Sequence, residues 1–264
     1  MTANSRSPAF LTQLRIQCRV IWALVMREMI TRFGREGIGV LWMMAEPAMF
    51  VVGVMLIFSH TEKMTGYSVA EYLAVSYPTI LFWRNTAARL LKAIEYNRAL
   101  LHHNPIRPMD ILYARIILEF AGATASFLVL YAVLVVIGIC HLPADLLAML
   151  VGYFLVMWFS FCFVITMAAL SELSESVERV SHVILYLMLP FTGVFVPTYL
   201  LPPHIGEMMI YFPLVDAVEY FHHGYYGARM PTMYNLEYTC FVLSIFTLFA
   251  LSIAHVAIRR VQLH

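Results

Sequence analysis

Runs of about 20 apolar residues recur along this chain, and they decide what it can fold into. A helix of that length is what crossing the hydrocarbon core of a membrane requires. The runs are Ile38 to Phe58, Tyr72 to about Lys92, Ile116 to Ile139, Leu146 to Leu170, Val183 to Leu200 and Leu236 to Ile258. Arg84 and Arg89 interrupt the second, and Pro190 breaks the fifth. Pro202 to Tyr234 is mildly apolar but rich in Pro, Gly, Tyr and His, which suits re-entrant or interfacial short helices better than a crossing. The expected fold class is all-α: a polytopic membrane protein with six transmembrane helices, an amphipathic N-terminal interface helix and a re-entrant exterior segment between helices five and six.

Composition agrees. Of 264 residues 61% are hydrophobic and 12% charged, against roughly 45–50% and about 25% in soluble domains. A water-soluble globule would expose large apolar patches, so a soluble enzyme, a disordered chain and a nucleic-acid binder are excluded. The first 35 residues mix Arg with apolar side chains throughout, unlike a cleavable signal peptide, so insertion is expected to use the spans themselves. Cys18, Cys140, Cys162 and Cys240 form no CxxC pattern and read as small hydrophobes.

Charge sets the orientation. Of 17 Lys and Arg residues, six lie in the first 35 positions and six between Arg84 and Arg115. Six spans place both termini on one side, together with the loops near 93–115 and 171–182. The other side receives only Lys63 and Arg229. The basic side is expected to be the cytoplasm. Leu11, Leu14, Cys18, Ile21 and Val25 recur at steps of three and four, with Arg15 and Arg19 on another face. That pattern predicts an amphipathic helix in the membrane surface, serving as an anchor, a partner-docking element or both.

The loop after the second span has helical spacing from Ala93 to His103, ended by Asn104-Pro105 and followed by Pro108. This is a stiff knob on the basic side, either an inert connector or a transmitter of force. Catalytic signatures are missing. There is no G-x-x-x-x-G-K-[ST] phosphate loop, no H-E-x-x-H and no G-x-S-x-G. The adjacent pairs His102-His103 and His222-His223 point about 100° apart on a helix and make poor joint ligands, so no metal site is expected. Asp216 and Glu219 share a helical face and read first as polar anchors. With His222 they are the candidates for a different reading, a membrane enzyme acting on lipid-linked sugars.

Arg84 lies roughly 18 Å into its span at about 1.5 Å per residue, past the middle of a core about 30 Å thick. Such a charge costs at least about 2.5–3.5 kcal/mol on insertion scales and must face protein or a water-filled cavity. Arg84, Arg89 and Lys92 form a descending basic track. It suits phosphate or acidic sugar groups; an Arg89–Glu119 ion pair, or snorkelling of Arg89 and Lys92, is the structural alternative. Tyr77, Phe82 and Trp83 crowd the second span, and Tyr220 and Tyr225 the exterior segment. Their rings could stack on sugars or form an interfacial belt.

Thr31-Arg-Phe-Gly34, Arg35, Gly39-Val-Leu-Trp42 and Glu46-Pro47 resemble the first-span entry of permease subunits of type-2 ABC exporters, in the branch that exports capsular polysaccharide and O-antigen. Asn104-Pro105 to Asp110-Ile-Leu is similar to that family's loop between spans two and three. Leu189-Pro-Phe, Gly193-Val-Phe, Leu201-Pro-Pro203 and Pro213-Leu-Val-Asp-Ala-Val-Glu219 are similar to its fifth span and exterior loop. The resemblance implies one transmembrane domain over 1–264, half of a homodimer in the inner membrane. A separate cytoplasmic ATP-binding subunit uses the ATP, so this chain is non-catalytic and binds no cofactor directly. Implied substrates are lipid-linked polysaccharides, capsular first, with O-antigen, teichoic acid or a small molecule as alternatives; periplasmic and outer-membrane export partners follow. The loop 93–110 would couple to the ATPase through Glu95, Arg98, Leu100, Leu101 and His102. Segment 1–35 would be the interface helix, with Arg27, Arg32, Arg35 and Glu46 at the first-span entry. Arg84, Arg89, Trp83, Tyr77, Phe82, Tyr220 and Tyr225 would line the substrate conduit.

Overall fold

The computed structural model describes residues 10–33, 67–102 and 106–262, with scattered positions between 45 and 57. The helices among them, in chain order, are α1 (Phe10–Phe33), α2 (Val69–Ile80), α3 (Thr86–Leu90), α4 (Ala93–Tyr96), α5 (Pro108–Val136), α6 (Leu146–Leu173), α7 (Glu175–Leu187), α8 (Pro203–Ile210), α9 (Pro213–Tyr226) and α10 (Leu236–Gln262). The described residues contain no strand. Three of these helices, α5, α6 and α10, are long and apolar enough to cross a membrane. The predicted first span, Ile38 to Phe58, lies outside the continuously described residues.

Polar side chains stand at the helix starts, where the first N–H groups have no partner within the helix. Ser68 accepts the N–H of Glu71 at 3.0 Å before α2. Asp110 accepts the N–H of Arg107 at 2.8 Å before α5. Asp145 accepts the N–H of Ala148 at 3.0 Å before α6, and Asn235 that of Tyr238 at 3.1 Å before α10. These caps fix where the long apolar runs begin to wind.

The second predicted span is a continuous winding from Val69 to Leu90, interrupted by a π-helical turn at Leu81–Asn85. Pro78 sits inside α2 just before that turn. A proline removes one rung of the helix ladder, and such interruptions and π turns go together with local re-aiming of the helix. The fifth predicted span, Val183–Leu200, breaks at Pro190 as the sequence predicts, but its start requires correction. α7 begins earlier, at Glu175, with Glu175 and Glu178 favourably placed in its first turn. It ends at Leu187, because Pro190 has no N–H for the carbonyl of Tyr186. Short 3-10 turns follow, and Gly193 takes φ of 70°, a left-handed conformation that glycine adopts without penalty. The Tyr72 hydroxyl donates to the Gly193 carbonyl and ties this break to α2.

α6 is the central element, packed along α9 and α10. Two glycines allow its approach to α9. A Cβ at Gly152 would lie 2.4 Å from the backbone N of Phe221, and one at Gly224 would lie 2.0 Å from the backbone N of Met149. Small residues at such crossings let backbones touch. Backbone bonds finish the seam: Ala144 N–H to Tyr225 O at 3.0 Å and Asp145 N–H to Gly224 O at 2.8 Å.

The N-terminal helix differs from a simple surface helix. Only part of its apolar stripe is exposed. Leu24 and Val25 are buried against Ala114 and Leu118 of α5, with Ile21 alongside, whereas Leu11 and Leu14 are exposed. Gln17 hydrogen-bonds Asp110, and Glu28 pairs with Arg115 at 3.2 Å, so polar contacts also fasten α1 to α5.

Candidate functional site

The π turn divides the second winding into two environments. Phe82 and Trp83 are fully buried and Tyr77 nearly so. Phe82 lies edge-on to Phe120 at 5.3 Å and to Tyr153 at 5.1 Å, and Trp83 edge-on to Phe163 at 5.9 Å. In the single chain these rings, which the sequence reading placed along a passage, pack inside the protein. Arg84 faces another way: its guanidinium carbon sits 4.6 Å from the ring centroid of Tyr186 on α7. Among the described residues no carboxylate lies within ion-pair distance of it. Arg89 is different, with Nη1 2.6 Å from Glu119 Oε2, and Lys92 Nζ lies 2.8 Å from Glu95. Two members of the basic track thus have acidic partners within the chain.

The knob is not the single helix the spacing predicted. Lys92 takes φ of 54°, α4 is one turn long, and a 3-10 turn covers Arg98–His102. α6 holds it from 77 to 79 residues away in sequence. Glu172 Oε1 accepts the N–H groups of Ile94 at 2.9 Å and Glu95 at 3.3 Å, and Ser171 Oγ accepts that of Lys92 at 3.0 Å. A carboxylate at a helix start satisfies free N–H groups and suits the dipole. Ala93 and Ile94 are buried. Leu101, partly buried, packs on the main core and Leu100, also partly buried, on the α1–α5 cluster. The exposed face is Glu95, Tyr96, Arg98 and Ala99, with Tyr96 72% exposed. Sequence reasoning missed Tyr96, whose signal was an aromatic on a short polar loop, and Glu172, which carried none. The His102 side chain lies outside the described residues. Arg27 is exposed on α1, Arg32 lies in its last turn, and Arg35 and Glu46 fall outside the described residues.

At the opposite end of α6, the acids of α9 are ties. Asp216 accepts the N–H of Asn235 at 2.7 Å and the Thr239 hydroxyl at 2.6 Å, fixing the start of α10. Glu219 accepts from the backbone of Thr198 at 3.4 Å and of Met233 at 3.3 Å. His222 Nε2 lies 2.6 Å from Ser76 Oγ. All three side chains are fully buried, so they form no open acid–base site of the kind a membrane enzyme would need. Tyr225 is also buried, its hydroxyl 3.0 Å from Glu71 and accepting the His141 N–H at 3.1 Å. Tyr220 is half-buried against Tyr234, 4.9 Å between centroids. Of the two arginines expected to line the conduit, Arg84 is the one with no acidic partner in reach among the described residues, whereas Arg89 pairs with Glu119.

This arrangement is a helical membrane protein with a separately anchored loop at one end and a pair of short helices at the other. Residues 19–229 match the family model described as ABC-2 type transporter, and the chain belongs to that family. It is similar to the capsule polysaccharide export inner-membrane protein CtrC of Neisseria meningitidis serogroup B, 34% identical over 246 residues, covering 92% of this chain and 93% of that one. It is similar to BexB of Haemophilus influenzae, also a capsule polysaccharide export inner-membrane protein, at 32% over 231 residues and 87% of each chain. The polysialic acid transport protein KpsM of Escherichia coli is 23% identical over 206 residues, 77% of this chain and 80% of that one.

Proposed function

We propose that this chain is the permease subunit of an ATP-driven exporter that moves lipid-linked capsular polysaccharide across the inner membrane. The observation that carries the reading is the end-to-end likeness to CtrC, over 92% of this chain. In this reading two copies form the transmembrane unit. Each has six spans, both termini in the cytoplasm and a re-entrant exterior segment over 202–234. A cytoplasmic ATP-binding subunit seats on the exposed face Glu95–Ala99, and partners on the far side carry the polymer onward. Motion at the knob passes through Glu172 and Ser171 to α6. The chain performs no covalent chemistry; it supplies a route and a coupling element. Arg84 contacts phosphate or acidic sugar groups on that route, because its five N–H donors match such anions bidentately.

The test is co-purification with the ATP-binding subunit and mass spectrometry of bound glycolipid, with capsule export measured in cells. The expected result is a stable complex carrying a lipid-linked acidic polymer. Arg84→Ala abolishes export while accumulation and ATPase binding persist, and Arg84→Lys is partly active because an ammonium lacks the planar fork. Normal export by Arg84→Ala removes Arg84 from the route. A chain that never associates with an ATPase defeats the permease reading itself.

A further inference from the structure

The geometry points to Tyr186 as the resting partner of Arg84, a ring that holds the guanidinium until an anionic group of the transported polymer displaces it. This rests on the reading above that Arg84 faces the route. Three observations combine. First, Arg89 and Lys92 each have a carboxylate within 2.8 Å or less, while no carboxylate lies in reach of Arg84 among the described residues. Second, the guanidinium carbon stands 4.6 Å from the Tyr186 centroid, inside the range of a cation–π contact. Tyr186 is itself 61% exposed near the end of α7, so the stack is open to an incoming group. Third, Arg84 sits in the π turn Leu81–Asn85. The wider turn shifts the register of the winding, sending Arg84 toward α7 and Arg89 toward Glu119 of α5. Such turns are frequent at functional positions.

The chemistry makes the contact an exchange. A ring face attracts a cation through its quadrupole but accepts none of the guanidinium N–H groups in strong hydrogen bonds. A phosphate or carboxylate takes two at once and binds more strongly. An anionic polymer therefore displaces the ring, whereas a neutral one offers nothing in return. Tyr186 sets the threshold: it weakens the hold of Arg84 on any anion by the strength of the stack and so keeps binding reversible along the route. Tyr186 is a specificity residue acting through Arg84, and the ring rather than the hydroxyl carries the effect.

The experiment uses the permease with its ATP-binding subunit in phosphatidylcholine nanodiscs, titrated calorimetrically with a galacturonic acid trisaccharide and with maltotriose. The wild type is expected to bind the acidic probe and not the neutral one. Arg84→Ala loses at least about tenfold in affinity for the acidic probe. Tyr186→Leu gains about 3- to 10-fold, the stack no longer competing, and Tyr186→Phe matches the wild type. Unchanged or weaker binding by Tyr186→Leu, or a Phe variant that behaves like Leu, overturns the role of Tyr186. Acidic-probe binding that survives Arg84→Ala at full strength instead overturns the placement of Arg84 on the route, whatever Tyr186 does.

Discussion

Replacing Gly224 with alanine tests the contact that seats α9 on α6. The added Cβ would lie 2.0 Å from Met149 N, 2.5 Å from Met149 Cα and 2.6 Å from the Ala148 carbonyl carbon. Carbon contacts settle near about 3.5–4.0 Å, so the two backbones must part by roughly 1.5 Å. No rotamer can relieve this, because all three atoms are main chain. Overpacking of that kind costs about 1–3 kcal/mol. Separation also weakens the bonds Ala144 N–H to Tyr225 O and Asp145 N–H to Gly224 O, each worth about 0.5–1.5 kcal/mol. Helix propensity opposes these losses, since alanine gains up to about 1 kcal/mol over glycine. The balance is a net loss of about 1–5 kcal/mol. For a midpoint near 3 kcal/mol, soluble domains of similar size shift by roughly 6–12 °C. Thermal unfolding of the purified permease in nanodiscs reads this directly. The sign is decisive. A variant that melts at or above the wild-type temperature shows propensity winning, and the close crossing would then be refuted. Gly152→Ala, whose Cβ would meet Phe221 N at 2.4 Å, should act in the same direction. The double variant should lose less than the sum, because both strain one seam.

Two further expectations follow from the same geometry. Glu172→Ala removes the acceptor of two knob N–H groups and should lower export per ATP hydrolysed several-fold while ATPase binding persists; equal coupling ratios in variant and wild type would rule out the tie. Labelling of single cysteines placed at 203–229 should come from outside the cell only, with labelling from the cytoplasm refuting the topology. In the purified wild-type chain, with both faces open to reagent, native Cys140 should stay unlabelled at pH 8 while exposed Cys18 reacts. Burial, and then the nearby Glu71 carboxylate, push the Cys140 thiol up to about 12, leaving little reactive thiolate.

Much of the frame was legible in the sequence because single-residue properties determine it. The runs at 116–139, 146–170 and 236–258 became α5, α6 and α10, since long apolar stretches bounded by Asp145 or Asn235 admit few alternatives. The Arg89–Glu119 pair was one of two structural alternatives to an anion path, reachable because both residues fall at similar depth on successive spans. What failed depended on neighbours. A count of apolar residues excluded Glu175 to His182 from the fifth span, although a helix start tolerates acids in its first turn. The break at Pro190, by contrast, follows from one residue, since the ladder stops there. Aromatic richness could not separate a lining ring from a packed one: Trp83 and Tyr225 are buried by what α6 and α2 bring against them. The π turn leaves no mark on a hydropathy pattern. Glu172 reaches a backbone 78 residues away, and no local signal announces such a reach.

α6 has a mechanical consequence. Its 28 residues make a rod about 42 Å long. One end grips the knob backbone through Ser171 and Glu172, and the other is joined to α9 where Gly152 and Gly224 bring main chains together. Between Tyr153 and Leu173 there is neither glycine nor proline, hence none of the usual places for a helix to kink. Such a rod has little compliance along its axis. In the coupling proposed above, a stroke of a few ångströms delivered at Ile94 would reach Gly224 with little lost on the way, so the timing of events at one face would pass to the other without a hinge in between.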